Sequence, residues 1–316
     1  MDEKTDELAA DARATEAAQA GDRPRSAVAT ADTDADTDAD DAGAAGKPRG
    51  PLRSTTMLWA GLVVVLVALG VVGKVALDPS QASAIAAPGN SVGTQMDAAL
   101  PASILNLPLE NENGRPITLG SFHGKTLMIS DTMTLCQETC PLDTEDLVQT
   151  ARAMNSDGLG ADVEFLTITI DPARDTPAQL AAYRDLYTPT PANWATLTGS
   201  PAAIAQLWKY FGVYIQKVPE GSPPDVNWRT GQKLTYDLDH SDEIFFIDAK
   251  DNERFLLEGM GHVAPGTTLP PTMQKYLDAQ GQLNLTASAD DGWTVPQALQ
   301  TFSWLLQRQV AQPSQG

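Results

Sequence analysis

Hydrophobic and polar positions fall into three regimes along the chain. Residues 1–53 show no apolar periodicity; residues 31–46 (ADTDADTDADDAGAAG) carry no large apolar side chain at all. Such a stretch buries too little apolar surface to offset the entropy of ordering, so 1–53 is expected to be a disordered acidic arm. Residues 57–73 (MLWAGLVVVLVALGVVG) are then continuously apolar, and the run resumes after Lys74 as Val-Ala-Leu. At a rise of about 1.5 Å per residue this approaches the roughly 30 Å of a bilayer core, and the run has no polar stripe. The expectation for 57–77 is a single transmembrane helix. Residues 78–100, rich in Ala, Ser, Pro and Gly, are expected to be a linker.

From about Ile104 onward the pattern alternates between periods. Residues 126–131 (TLMISD) suit a buried strand, and 163–171 (VEFLTITID) alternate with β-branched residues, also predicting a strand. Between them, Leu147, Val148, Ala151 and Met154 recur at helical spacing. Thr176-Pro177-Ala178-Gln179 has the form of a helix start, with Thr as cap, Pro first and Gln three residues on. Residues 194–199 form a further strand candidate. Ser200-Pro201 opens a helix with Ile204, Leu207, Trp208 and Phe211 on one face, and Gly212 stops it. The segments EIFFID and RFLLE, separated by AKDNE, predict a hairpin. A last amphipathic helix starts near Val295, with Leu299, Phe302, Leu305 and Leu306 inward. This order predicts an α/β sandwich, a central mixed sheet flanked by helices, over residues 101–312.

Charge and composition narrow the function classes. The chain of 316 residues carries 41 acidic and 21 basic side chains, a formal net charge of −20. Nucleic-acid binding is excluded, because it needs clustered Lys and Arg. The basic residues Lys47, Arg49 and Arg53 precede the apolar run and only Lys74 closely follows it. By the positive-inside rule the arm is then cytoplasmic and the main domain extracytoplasmic, placing the protein in the cell membrane as a single-pass chain. Ala82-Ser83-Ala84 looks like a signal cleavage site, but the preceding basic region is too long for one, so the anchor is expected to stay. Two cysteines exclude a disulfide-dense scaffold and a four-cysteine zinc site.

Both cysteines lie in Cys136-Gln137-Glu138-Thr139-Cys140-Pro141, after a strand and at a helix start. A helix N-terminus favours thiolate, which is both a soft-metal ligand and a redox nucleophile. Side chains four apart on a helix are neighbours, so both sulfurs can face one ligand or each other. A disulfide staple for the loop is the plainer alternative, but so small a ring yields little entropic stabilisation. His240 lies in Tyr236-Asp237-Leu238-Asp239-His240-Ser241, just ahead of EIFFID. By itself it would be an ordinary loop histidine.

Three pieces, CQETCP at 136–141, TITIDPARDTPAQLAAY at 167–183 and DLDHSDEIFFID at 237–248, together resemble the Sco/SenC family. That family comprises membrane-anchored copper chaperones of respiratory oxidase assembly. The resemblance runs from about Pro101 to the C-terminus and implies a thioredoxin-like fold. It further implies that Cys136, Cys140 and His240 bind copper for delivery to the binuclear copper site of cytochrome c oxidase. The oxidase's copper-binding subunit would be the partner. Two thiolates and an imidazole suit Cu(I), and the same set with an added oxygen would take Cu(II). A thiol-disulfide oxidoreductase, with Cys136 attacking and Cys140 resolving, is the alternative.

Other residues receive plainer expectations. Asp171, Arg174 and Asp175 are expected to fix a turn, and Asp239 either to orient the imidazole or to sit solvated in a loop. The sequence departs from the family in three places. Residues 131–135 (DTMTL) are more polar than the family's aromatic-rich lead, 217–232 form a long Pro/Gly-rich loop, and 260–284 form an addition. Met260 and His262 open that addition and are possible copper ligands, but an ordinary loop is expected there. Met133 is expected to pack and His123 to lie in a surface turn.

Overall fold

The computed structural model describes residues 83–286 and 292–312. The expected acidic arm (1–53) and transmembrane segment (57–77) lie outside the described residues. Among the described residues no helix is long and apolar enough to cross a membrane.

Among the described residues ten strands and seven α-helices follow one another. The strands are β1 (Thr94–Ala99), β2 (Leu109–Asn111), β3 (Pro116–Ile117), β4 (Thr126–Thr132), β5 (Val163–Thr169), β6 (Trp194–Gly199), β7 (Ile215–Val218), β8 (Asp237–His240), β9 (Glu243–Ile247) and β10 (Asn252–Glu258). The helices are α1 (Ala102–Leu105), α2 (Cys140–Ser156), α3 (Pro177–Arg184), α4 (Pro201–Phe211), α5 (Pro271–Tyr276), α6 (Ala279–Asn284) and α7 (Val295–Leu306). Eight strands form one mixed sheet in the order β1-β10-β9-β4-β5-β6-β2-β3, and β7 pairs with β8 separately. The three central strands β4, β5 and β6 are parallel, and β9 runs antiparallel to β4. The architecture is the expected mixed sheet between helices, consistent with a thioredoxin-like fold.

Alternation along the central strands divides the core in two. Leu127 and Ile129 of β4, Leu166 and Ile168 of β5, and Phe245 and Ile247 of β9 face one cluster with Ile204, Leu207 and Trp208 of α4. Met128, Phe165, Ile244 and Phe246 face the other, with Leu147, Val148, Ala151 and Met154 of α2 and Leu299 and Phe302 of α7. Each central strand is buried on both faces, which is why neighbouring positions are both apolar, as at Leu127–Met128–Ile129 of β4 and Phe165–Leu166 of β5.

Local chemistry starts and stops the helices as expected. The hydroxyl of Thr176 accepts the Gln179 N–H, that of Ser200 accepts the Ala203 N–H, and Thr294 forms a reciprocal capping box with Gln297. Each is followed within two residues by proline, whose missing N–H costs nothing there. Gly212 ends α4 at φ +83°, a left-handed conformation that glycine adopts without strain.

Two expectations need correction. The stretch 78–100 is not linker throughout: Thr94–Ala99 pairs with β10, from Thr94↔Leu256 to Ala99↔Asn252. A sheet edge offers unpaired backbone groups to any extended segment, so strand formation there needs no apolar pattern. Residues 260–284 are not simply a loop, for they contain α5 and α6. Six-residue helices are too short to show periodicity, and here Pro271 and the Asp278 cap on Gly281 N–H (2.7 Å) set their starts.

Candidate metal centre

Cys136, Cys140 and His240 converge. One Sγ from each cysteine and one ring nitrogen of His240 lie within 4.8 Å of one another. Cys140 is the first residue of α2, but Cys136 precedes the helix rather than sharing a face of it. A turn after β4, closed by the Cys136 N–H to the Met133 carbonyl (3.0 Å), swings Cys136 back over the helix start. His240 ends β8, where it pairs with Ile215 of β7, so it lies on a strand rather than in a loop. The four-residue, acid-rich DLDH segment conceals that strand in the sequence. Both cysteines are free thiols and both are buried.

The imidazole has a defined orientation. Its Nε2 faces Cys140 Sγ at 3.6 Å. Its Nδ1 lies 3.0 Å from Asp131 Oδ2, 3.5 Å from Asp242 Oδ1 and 3.0 Å from the Ser241 carbonyl. With acceptors gathered at Nδ1, the ring proton belongs there, and Nε2 is the nitrogen left to bind a metal. Asp131 is itself held by the Glu243 N–H at 3.2 Å, and Asp242 by the Thr139 hydroxyl at 3.2 Å. Asp239 is exposed, so of its two expected roles the solvated one stands; Asp131 and Asp242 are the orienting carboxylates. Sequence reasoning missed both. The available signal was an acid ending a buried strand and the pattern Asp-His-Ser-Asp.

The two thiols are electrostatically unequal. The hydrogen bond from Cys140, aided by His240, holds the Cys136 thiol well below its ordinary 9.0 against the cost of burial. Burial, then the hydrogen bond with Cys136 and its charge, pushes Cys140 up. Burial disfavours a charged His240, but Asp131, Cys136 and Asp242 overcome it and push the imidazole up to about 12. Both shifts favour a thiolate on Cys136 beside a protonated His240. Burial also raises Asp242 to about 7 despite His240 beside it. The site floors a cavity of about 450 Å³ whose lining includes seven carboxylates, among them Glu138, Asp237 and Asp278, and no Lys or Arg.

The surrounding frame is dense. Arg174 pairs with Asp171 and donates to the Tyr236 carbonyl (2.6 Å), while Asp175 accepts from Thr134 and Thr169. The turn residues thus act as expected, tying the end of β5 to the segment after β4 and the segment before β8. Trp228 of the Pro/Gly-rich loop donates to the Thr134 carbonyl at 2.7 Å. From the 260–284 segment, the Tyr276 hydroxyl reaches the Leu135 carbonyl (3.3 Å), the Asp278 N–H that of Gln137 (3.2 Å) and Asn284 that of Glu138 (3.3 Å). Met133 is buried in the core, as expected. His262 is outside the cluster, its N–H bonded to the Trp293 carbonyl, and His123 is exposed and pairs with Asp251 at 2.6 Å.

Comparison with known proteins adds to this geometry. Residues 106–261 match the family model SCO1/SenC. The chain is similar to "Protein SCO2 homolog, mitochondrial" of Bos taurus, 27% identical over 212 residues, covering 66% of this chain and 70% of that protein. It is similar to "Protein sco1" of Schizosaccharomyces pombe, 31% identical over 168 residues, covering 53% of this chain and 58% of that one. The match to the mouse SCO2 homologue spans half of that protein. Among solved structures it resembles Bradyrhizobium japonicum ScoI with copper bound, 26% identical, covering 59% of this chain and 99% of that one, with a TM-score of 0.38.

Proposed function

This chain belongs to the Sco/SenC family, its SCO1/SenC domain spanning residues 106–261, and from that premise we propose that it binds one copper ion through Cys136, Cys140 and His240 and delivers it in cytochrome c oxidase assembly. The observation that carries this reading is the convergence of two thiols and one imidazole within 4.8 Å. Two sulfurs and a nitrogen form a soft set that suits copper, whereas structural zinc takes four ligands. Three-coordination leaves the ion open to exchange onto a partner's ligands. The acceptor in this proposal is the oxidase's copper-binding subunit. The apolar segment 57–77 would anchor the domain at the extracytoplasmic face of the membrane. Closing the two thiols into a disulfide would abolish thiolate ligation, so thiol redox state would gate loading.

The test is copper stoichiometry of the full chain, purified reduced and loaded with Cu(I) without oxygen. One copper per chain is expected, and none in C136S/C140S. In His240→Ala, competition with a chromophoric Cu(I) chelator should show affinity reduced by about tenfold or more, since even groups that only orient a ligand are worth that much. Undiminished retention in His240→Ala would remove it from the ligand set.

The inequality of the thiols favours a second reading, a thiol-disulfide oxidoreductase. Cys136, held as thiolate and bordering the cavity, would attack a partner disulfide, and Cys140 behind it would resolve the mixed disulfide. A chain that retains no copper but carries a readily reduced Cys136–Cys140 disulfide would establish this reading instead.

A further inference from the structure

We propose that a second cavity, bounded by the Pro/Gly-rich loop and the start of α3, binds a phosphate group. The loop folds back on itself, with Val226 bridged to Lys233 and the Asn227 N–H donated to the Gln232 carbonyl at 2.8 Å. Glu220 and Asp225 of this loop line the metal cavity. The stretch after them closes a separate cavity of about 330 Å³ against α3, and the two cavities share Leu135 and Leu234 as walls.

The two cavities differ in sign. The metal cavity is lined by carboxylates without Lys or Arg, whereas the second is lined by Arg174, Arg229 and Lys233 without Asp or Glu. In a chain of 41 acidic and 21 basic side chains this concavity stands apart from the general surface. Arg174 is paired with Asp171, but among the described residues neither Arg229 nor Lys233 has a carboxylate at ion-pair distance. Two positive charges are therefore left uncompensated. Hydrogen bonding points the same way. Gln179 Oε1 already accepts from Asn227 Nδ2 (3.4 Å) and Arg229 Nε (3.1 Å), and Asn227 Oδ1 from the Arg229 and Thr230 N–H groups at 2.8 and 3.1 Å. Gln179 is itself buried and donates to the Thr134 hydroxyl at 3.2 Å, so Arg229 is held on a fixed base. Donors are left over: the terminal nitrogens of Arg229, the Lys233 ammonium, and the hydroxyl protons of Thr176 and Thr230, whose oxygens accept the Gln179 and Gln232 N–H groups. A cavity rich in cations and donors is complementary to an acceptor-rich anion. A carboxylate would offset one of the two charges; a phosphate monoester brings up to two, on three strong acceptor oxygens. Held between the hairpin and Thr176, it would also fix the wall that this loop lends to the metal cavity.

Equilibrium dialysis tests this on the metal-free full chain, in a phosphate-free detergent, against radiolabelled inorganic phosphate at constant ionic strength. Saturation at one phosphate per chain is expected. Arg229→Gln and Lys233→Gln should each weaken it about tenfold or more, since each removes a charged hydrogen-bond donor. Arg229→Lys should recover part of the loss, keeping the charge but not the two-pronged guanidinium. Arg229 and Lys233 are both exposed, so these variants keep the fold. Glycerol phosphate and phosphatidylglycerol, added as competitors, separate the sources: displacement by the first alone assigns a soluble phosphate ester, displacement by the second a lipid head group, and displacement by neither inorganic phosphate itself. Uptake that does not saturate, or saturable uptake unchanged in R229Q/K233Q, would overturn the proposal.

Discussion

At the scale of single residues, Cys136 and His240 share one proton. In the metal-free protein the imidazole carries it, its pKa raised to about 12 against burial by Asp131, Cys136 and Asp242, while the Cys136 thiol lies well below 9.0. In the unfolded chain the two groups titrate near 6.5 and 9.0. At acid pH the unfolded chain holds imidazolium and neutral thiol, one proton more than a folded pair whose thiol has ionised, so there stability rises with pH. Between 6.5 and 9.0 the two states hold equal numbers, and the pair's contribution is level. Above 9.0 the unfolded thiol ionises first, the folded pair holds the extra proton, and stability falls toward about 12. The expected plateau appears as the difference in urea midpoints between wild type and C136S/H240Q, measured without metal from about pH 5 to 10. A difference that is independent of pH would mean that folding leaves the titration of both groups unchanged. The three ligand types were legible in the sequence as motifs. Asp131 was legible only as an acid at the end of a buried strand.

At the scale of elements, the 260–284 segment props the cysteine loop. Its side chains and backbone occupy the carbonyls of Leu135, Gln137 and Glu138 in succession. A loop that bears metal ligands has few backbone partners of its own, so these bonds hold it in place. Gly281 is the closest point of approach: a Cβ there would lie 2.1 Å from the Gln137 carbonyl oxygen. Gly281→Ala is therefore expected to push α6 off the loop, at about 1–3 kcal/mol of stability, and to weaken copper retention. Thermal unfolding and chelator competition on the same preparation check both. Retention equal to wild type would show that the loop holds itself. Caps, prolines and Gly212 made the longer helices legible, because each acts within four residues. α5, α6, β7 and β8 were not legible, since helices of six residues and polar strands of four are too short to show a periodic apolar pattern.

At the scale of the whole molecule, the central sheet has a core on either face, and α2 and α7 cover one of those faces. Phe302 is fully buried there, its ring centroid 5.4 Å from that of Phe165 and 5.3 Å from that of Phe246. Phe302→Ala is expected to cost about 3–5 kcal/mol, read as a lowered urea midpoint with unchanged slope. A loss below about 1 kcal/mol would mean that α7 is not integral to that core. The sequence by itself determined the kinds and order of the longer elements and the three candidate ligands. Periodicity, capping and the Cys-Cys spacing are local, and the histidine was found through its likeness to a family. Only the tertiary structure decided what surrounds those ligands. The antiparallel pairing of β4 with β9, Ser130 opposite Ile244, sets Asp131 beside the Asp242–Glu243 turn and so beside His240. No local pattern encodes a meeting between residues more than a hundred positions apart. Strand order creates it, and with it the charge that the metal would experience.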